Sequence, residues 1–425
     1  MTKPRLPVLL RVWLSATRVL PAPIRLVSRY MHSRMGAAPE RFAERLGLPS
    51  QTATHSVIWF HAASLGEVAQ IGPLVRQLGQ SDDRTILVTT TTAAGADWVA
   101  RELPEALHQY APIETHAAVT GFLSAWDISI ALFVEGDLWP RLVMETRRRD
   151  IPRILLNARH SHTRDKHPAV FQALLDGFSR ATCRSEPIAA SLRGLGLPAK
   201  AVRVLPDLRI ATAKLPCPPE LLASLRERIG KRPVWLAAST HPADEAAVLG
   251  AHSEVLAAHP DTLLILAPRH PKRGAPLEIA AQDQGLNVTR RNAEDALTAK
   301  TQVYIADTLG ELGVFFSLAP VAFIGGSFGD EGGHNPYEPA SFGGAILSGP
   351  KVKNFKDAYA ALTDVGAAQI VATPDALGEN VAPLIGSDQA KDMGAAGQDF
   401  MAASENSVSV TVDLIEEVLR TLSNL

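Results

Sequence analysis

Cysteine is scarce in this 425-residue chain: only Cys183 and Cys217 occur, far apart and without C-x-x-C spacing. That excludes a disulfide framework and a cysteine zinc site, and a reducing cytoplasm suits such a chain. Neither sign of charge is in surplus, the formal net charge being -2, so nothing suggests nucleic acid as a partner. Long apolar runs are also lacking. Near the start, residues 6–10 and 12–14 are apolar but separated by Arg11, and Arg18 and Arg25 punctuate the groups that follow. No uncharged stretch of about 18 residues therefore exists to span a bilayer. The same run is too short, and lacks a small-residue cleavage site, for a secretory signal.

The composition, 46% hydrophobic and 20% charged, is that of a folded soluble enzyme, and the length exceeds what one core usually serves. Residues 1–50 carry Lys3, Arg5, Arg11, Arg18, Arg25, Arg29, Arg34, Arg41 and Arg45 against Glu40 and Glu44. A basic amphipathic segment bearing Trp13 and Tyr30 suits the headgroup layer of an anionic membrane; packing on its own protein is the plainer alternative. Beyond it, apolar runs at 57–60, 85–90, 128–134 and 154–156 alternate with helix-period segments. After a looser stretch at 202–218, a second series follows at 233–238, 262–267, 303–305, 321–324 and 345–347. This rhythm predicts βαβ units in two doubly wound domains facing across a cleft, with ligands beyond the carboxyl ends of the strands. The expected division is 1–45 as a membrane-associating segment, 46–210 as an acceptor domain and 211–425 as a nucleotide domain. The closing helical run 412–422 is free to pack on either.

Nearly every expected strand ends on a polar or ionisable residue. Glu67 begins a helix after the first core strand, where a carboxylate can act as general base or simply complement the helix dipole. Gly325-Gly326-Ser327 opens a glycine-rich turn that can bring backbone N–H groups to a phosphate, or serve only as a loop. Arg269 and His270, fixed between prolines, offer a guanidinium and an imidazole to a phosphate. Ser239 and Thr240 can cap the next helix and bind an anion, and Glu338, beside Asn335, can accept from a ribose diol. Glu135-x-Asp137 is too sparse for a Mg²⁺ site, and His160, His162 and His167 read as a solvated loop, not a zinc cluster. Arg147, Arg148 and Arg149 suit a solvated helix end.

The ordered segments His61–Glu67, Glu135–Pro140, Asn157–Arg159, Ser239–His241, Pro268–Pro271, Asp307–Glu311, Gly325–Ser327, Gly333–Pro336 with Glu338, and Asn354–Lys356 resemble the motifs of the 3-deoxy-D-manno-octulosonic acid (Kdo) transferases of lipopolysaccharide synthesis. The resemblance implies a GT-B glycosyltransferase that moves Kdo from CMP-Kdo to a lipid A precursor, lipid IVA, with inversion and without a metal or other cofactor. It implies Glu67 as the base. It implies Ser239, Thr240, Arg209, Arg269, His270, Gly325, Gly326, Ser327, Asn335 and Glu338 as donor-site residues. Ser64, Gly66, Glu135, Asp137 and Arg159 fall on the acceptor side or near the transition state. The implied location is the cytoplasmic face of a bacterial inner membrane, peripheral or monotopic. Two departures stand out: Asp137 shortens a usual Glu, and Pro206-Asp207-Leu208-Arg209 replaces a Gly-[Ser/Asn]-Leu-Lys segment. A GT-B enzyme using another nucleotide sugar, and a non-catalytic nucleotide- or lipid-binding membrane protein, are the competing readings.

Overall fold

The computed structural model describes residues 6–80, 84–136, 138–293 and 297–423. Its chain forms two compact units, residues 1–212 with 406–425, and residues 213–405.

The first unit holds a parallel sheet of strands β1 (Val57–His61), β2 (Thr85–Thr90), β3 (Leu107–Tyr110), β4 (Ile128–Val134), β5 (Arg153–Ala158), β6 (Arg180–Cys183) and β7 (Val202–Val204), in the order β3-β2-β1-β4-β5-β6-β7. Alternate residues serve opposite faces, as the two-residue period of a strand requires. Val57, Trp59, Ala131, Phe133 and Leu155 join one core. Ile58, Phe60, Ile130, Leu132, Ile154 and Leu156 join the other. Both faces are covered, which is why the central strands read as unbroken apolar runs.

The covering elements correct the expected domain limits. The final helix, Ser407–Ser423, places Leu414, Ile415 and Val418 in the second of these cores, and its Glu417 pairs with Arg180 at 2.7 Å. Residues 406–425 thus belong to the first unit, not to the second as the division 211–425 supposed. Residues 1–45 are likewise not separate. In the helix Val8–Val19, Leu10 is buried in the first core and the Trp13 indole N–H donates to Glu114 at 2.9 Å. The stretch expected as a connection from 202 begins instead with the edge strand β7.

The second unit repeats the plan with β8 (Val234–Thr240), β9 (Leu263–Pro268), β10 (Val288–Arg290), β11 (Val303–Ile305), β12 (Val321–Ile324), β13 (Ala345–Ser348) and β14 (Ala368–Ile370), ordered β10-β11-β9-β8-β12-β13-β14 and again parallel. In each sheet the order reverses beside the first strand, between β1 and β4 and between β8 and β12. Loops diverge there, leaving a crevice at the carboxyl ends where ligands of such sheets bind.

Candidate functional site

In the first unit, Glu67 lies in the first turn of the helix Leu65–Leu78, which follows β1. Ser64 caps that helix, its Oγ accepting from the Glu67 N–H at 3.3 Å and donating to Glu67 Oε1 at 3.2 Å. Glu67 Oε2 accepts from the Ala63 N–H at 2.7 Å. These bonds cap the helix start and orient a buried carboxylate. Gly66 beside it is exposed, and a Cβ there would meet nothing within 4 Å, so internal packing does not call for glycine.

Glu135 and Asn157, at the ends of β4 and β5, both adopt left-handed backbone, with φ of 58° and 53°. Glu135 accepts from Gln70 at 3.1 Å, pairs with Arg159 at 2.9 Å and pairs with Arg184. Asn157 donates to Asp207 at 2.9 Å and to the side-chain oxygen of Gln70. Asp207 in turn meets Arg209 at 2.6 Å and Arg184 at 3.4 Å. Burial works to raise the Asp207 pKa, yet the charges of Arg209 and Arg184 outweigh it and hold the carboxyl far below the usual carboxylate range. Arg209, expected at the donor, is thus engaged with Asp207 in the first unit. Asp137 lies outside the described residues. Gln70, Arg184 and Asp207 escaped the sequence-based site: Gln70 lies inside a helix, and Arg184 and Asp207 follow β6 and β7, strands too short to show in the apolar pattern.

In the second unit the glycine turn departs from expectation. The N–H groups of Gly326, Ser327 and Phe328 donate to Asp244, at 2.7, 3.3 and 3.1 Å, as does that of His241 at 2.9 Å. An internal carboxylate therefore holds the amides that a phosphate was expected to use. Ser327 is also committed: its hydroxyl donates to the Ile324 carbonyl and accepts from Gly349, both at 2.8 Å. Gly325 is needed for close approach, since a Cβ would lie 2.7 Å from Thr240 Cα. Asp244 was foreseeable, because an acid three residues after a helix cap is the reciprocal position of a capping box.

The neighbouring strand ends are more open. Ser239 has a φ of 56° and, with Pro268, Arg269, Thr308, Gly310 and Phe315, lines a cavity of about 150 Å³. Arg269 is exposed and makes no ion pair among the described residues. Thr240 is buried, and its hydroxyl has no hydrogen-bond partner among the described residues. Asn335 donates to Glu338 at 3.3 Å. Burial pushes the Glu338 pKa up to about 7 against the opposing effects of the Asn335 bond and the Arg269 charge. Beside them, His241 stacks on His334 with ring centroids 5.1 Å apart, and His270 meets His241 edge-on at 5.7 Å. Burial, with the charges of His241 and Arg269, lowers the His334 pKa to about 4.

Elsewhere, His160, His162 and Asp165 bring ligand atoms within 4.8 Å of one another, all exposed, with His160 2.8 Å from Asp165; His167 instead precedes the helix Pro168–Leu175.

Residues 40–212 match the family model described as 3-Deoxy-D-manno-octulosonic-acid transferase (kdotransferase). A protein of Arabidopsis thaliana named "Probable 3-deoxy-D-manno-octulosonic acid transferase, mitochondrial" is 36% identical over 74% of this chain and 74% of its own length. The 3-deoxy-D-manno-octulosonic acid transferase of Haemophilus influenzae is 30% identical over 89% of this chain and 92% of its own. In fold, the chain resembles UDP-GlcNAc 2-epimerase from Neisseria meningitidis, with a TM-score of 0.60 at 13% identity over 85% of this chain and 100% of that one. The two-domain architecture of GT-B glycosyltransferases and such epimerases is therefore the architecture here. By sequence, the chain belongs to the 3-deoxy-D-manno-octulosonic acid transferase family, and it is a glycosyltransferase.

Proposed function

We propose that the protein transfers Kdo from CMP-Kdo to a lipid A precursor, with inversion at the anomeric carbon. The observation that carries this reading is Arg269, an exposed guanidinium without an ion pair among the described residues, at the rim of a cavity formed by strand ends. Such a cation suits the phosphate of a departing cytidylate, and Glu338, with Asn335, suits the ribose diol. His270 and the hydroxyls of Ser239 and Thr240 are further donors for that nucleotide. Gly325, Gly326 and Ser327 serve it indirectly, as the anchored wall behind these groups.

Glu67 is proposed as the base that removes the proton from the attacking lipid hydroxyl, and the uncovered backbone at Gly66 leaves room for that lipid. A fixed guanidinium takes the role that a divalent ion has in other nucleotide-sugar enzymes, so transfer should proceed undiminished in EDTA. The exposed side chains Val8, Val12, Val19, Leu26, Val27 and Tyr30, interspersed with Arg11, Arg18, Arg25 and Arg29, support peripheral attachment to the cytoplasmic face of an anionic membrane. No helix among the described residues is long and apolar enough to cross it.

The test is to incubate the protein with CMP-Kdo, generated in place, and a tetra-acylated lipid A precursor, and to weigh the lipid products. A mass gain of one or more Kdo residues is expected. An unmodified lipid, together with thermal stabilisation by UDP but not CMP, would transfer the assignment to another nucleotide sugar.

A further inference from the structure

Five side chains of the first unit close a ring. Gln70 donates to Glu135, Glu135 pairs with Arg184, Arg184 reaches Asp207, Asp207 accepts from Asn157, and Asn157 returns to Gln70. They come from the helix after β1 and from the segments that follow or end β4, β5, β6 and β7. Arg159 on Glu135 and Arg209 on Asp207 stand outside the ring. Its centre is Arg184, whose side chain is only 4% exposed and which is the member that touches both carboxylates.

Two features separate this ring from an ordinary ion pair. First, left-handed backbone at Glu135 costs on the order of 1 kcal/mol for a residue with a long side chain, and persists where surrounding bonds over-determine it. Glu135 is held in that way on both carboxylate oxygens, with Arg159 on Oε2 and Gln70 and Arg184 on Oε1. Second, the charges are arranged for direction and not only for balance. Asp207 already has Arg209 as a close partner at 2.6 Å, so a second buried guanidinium is not needed merely to neutralise it. What Arg184 adds is a bridge from Glu135, paired through Nη2, to Asp207, which lies 3.4 Å from Nε without a hydrogen bond.

We propose that Arg184 is a positioning residue for transfer: by tying Glu135 to Asp207 it holds the Glu135 carboxylate, and the backbone that carries it, in the arrangement that the acceptor side of the reaction uses. This rests on the transferase reading above.

The decisive variant is the double substitution R184Q/D207N, which removes one charge of each sign and keeps the side chains polar. Its melting temperature is expected to stay near that of the parent, whereas kcat for Kdo transfer falls about 100-fold, the scale of a small misplacement at a reacting centre, with the KM for CMP-Kdo unchanged. Hydrogen exchange should rise in peptides covering residues 134–139 and 157–160. R184K keeps the charge but cannot span both carboxylates with a planar fork, and is expected to recover only part of the rate. A double variant with parental kcat and parental exchange would reduce the ring to charge balance and overturn the proposal. Should the double variant fail to fold, R184K with parental kcat overturns it equally. A parent protein that transfers no Kdo refutes the transferase reading instead, and hydrogen exchange alone then decides whether Arg184 holds the Glu135 loop.

Discussion

The two units share one plan and use it in opposite ways. In the first, the charges at the strand ends are spent on each other: Glu135, Asp207, Arg184 and Arg209 are paired, Arg159 is tied to Glu135, and Gln70 and Asn157 close the ring. In the second, one carboxylate, Asp244, gathers the backbone of the glycine turn, and Arg269 is left without an ion pair among the described residues beside an open cavity. A ring closed on itself gives rigidity, because each of its members is held by two others. An unpaired cation on a fixed strand end gives affinity for an anion, because no internal partner has to be displaced. Under the proposed function, geometric control of the acceptor side falls to the first unit and recognition of the donor to the second.

The largest test of this division is Glu67→Gln. General-base removal is expected to lower kcat by about 10²–10⁴-fold while leaving the thermal shift produced by CMP intact. Equal loss of CMP binding would show that the division of labour is false.

Next is Asp244→Ala, which strips four backbone N–H groups of their acceptor. A destabilisation of about 3–5 kcal/mol is expected in urea unfolding, on the scale of breaking a buried charged network. A loss under 1 kcal/mol would mean that the glycine turn does not depend on this anchor.

Arg269→Met should weaken CMP binding by about 10–100-fold by calorimetry, the value of one charge-assisted contact, with little change in stability because the side chain is exposed. Unaltered CMP affinity would move the phosphate elsewhere.

Glu338 offers a subtler measurement. Its pKa, about 7 in the folded chain against an ordinary 4.5, means that the folded state holds a proton which the unfolded state has released between those values. Stability must therefore fall as pH rises through about 4.5 to 7, by up to roughly 1.4 kcal/mol per unit. His334 acts oppositely over about pH 4 to 6.5, since it is neutral when folded and protonated when unfolded. The difference between the parent and Glu338→Gln isolates the carboxyl: urea unfolding of the variant should lose less stability between pH 5 and 7. Parallel curves would place the Glu338 carboxyl in water.

The smallest expected effect concerns the apolar surface of the first unit. Leu10 is buried and the exposed Trp13 is hydrogen-bonded to Glu114, so deleting the N-terminal helix would damage the fold as well as any membrane contact. Val19→Asn or Leu26→Asn changes only exposed positions, and each should weaken binding to anionic liposomes by about 1–2 kcal/mol, with the remaining attraction reduced by salt. Liposome binding equal to that of the parent in both variants would argue that these helices are only a packed arm.

Much of the fold was legible along the chain. β1, β2, β4, β5, β8, β9, β11, β12 and β13 coincide closely with apolar runs because strands of a parallel sheet are buried on both faces. The short strands β3, β6, β7, β10 and β14 escaped notice. Each has only three or four residues, and all but β6 are edge strands, where an apolar signal is weak. In the candidate site, Glu67, Glu135 and Arg269 stood out because each follows an apolar strand within a few residues, and Glu338 because it lies in the first turn of the helix after the glycine loop. Their partners did not.

The sequence by itself determined the parallel α/β architecture, the strand ends that carry polar groups and the family, since all of these are written in local apolar periodicity and in short ordered motifs. Only the tertiary structure decided who holds whom. Gln70, Glu135, Asn157, Arg184 and Asp207 become one ring because parallel crossovers return each strand end to the same edge of the sheet. Asp244 claims the amides of Gly326 and Phe328, more than 80 residues away, for the same reason. The final helix joins the first unit because its apolar face fills the core over β1 and β4. Hydrogen bonds and burial at such separations depend on packing geometry, which no local pattern of residues encodes.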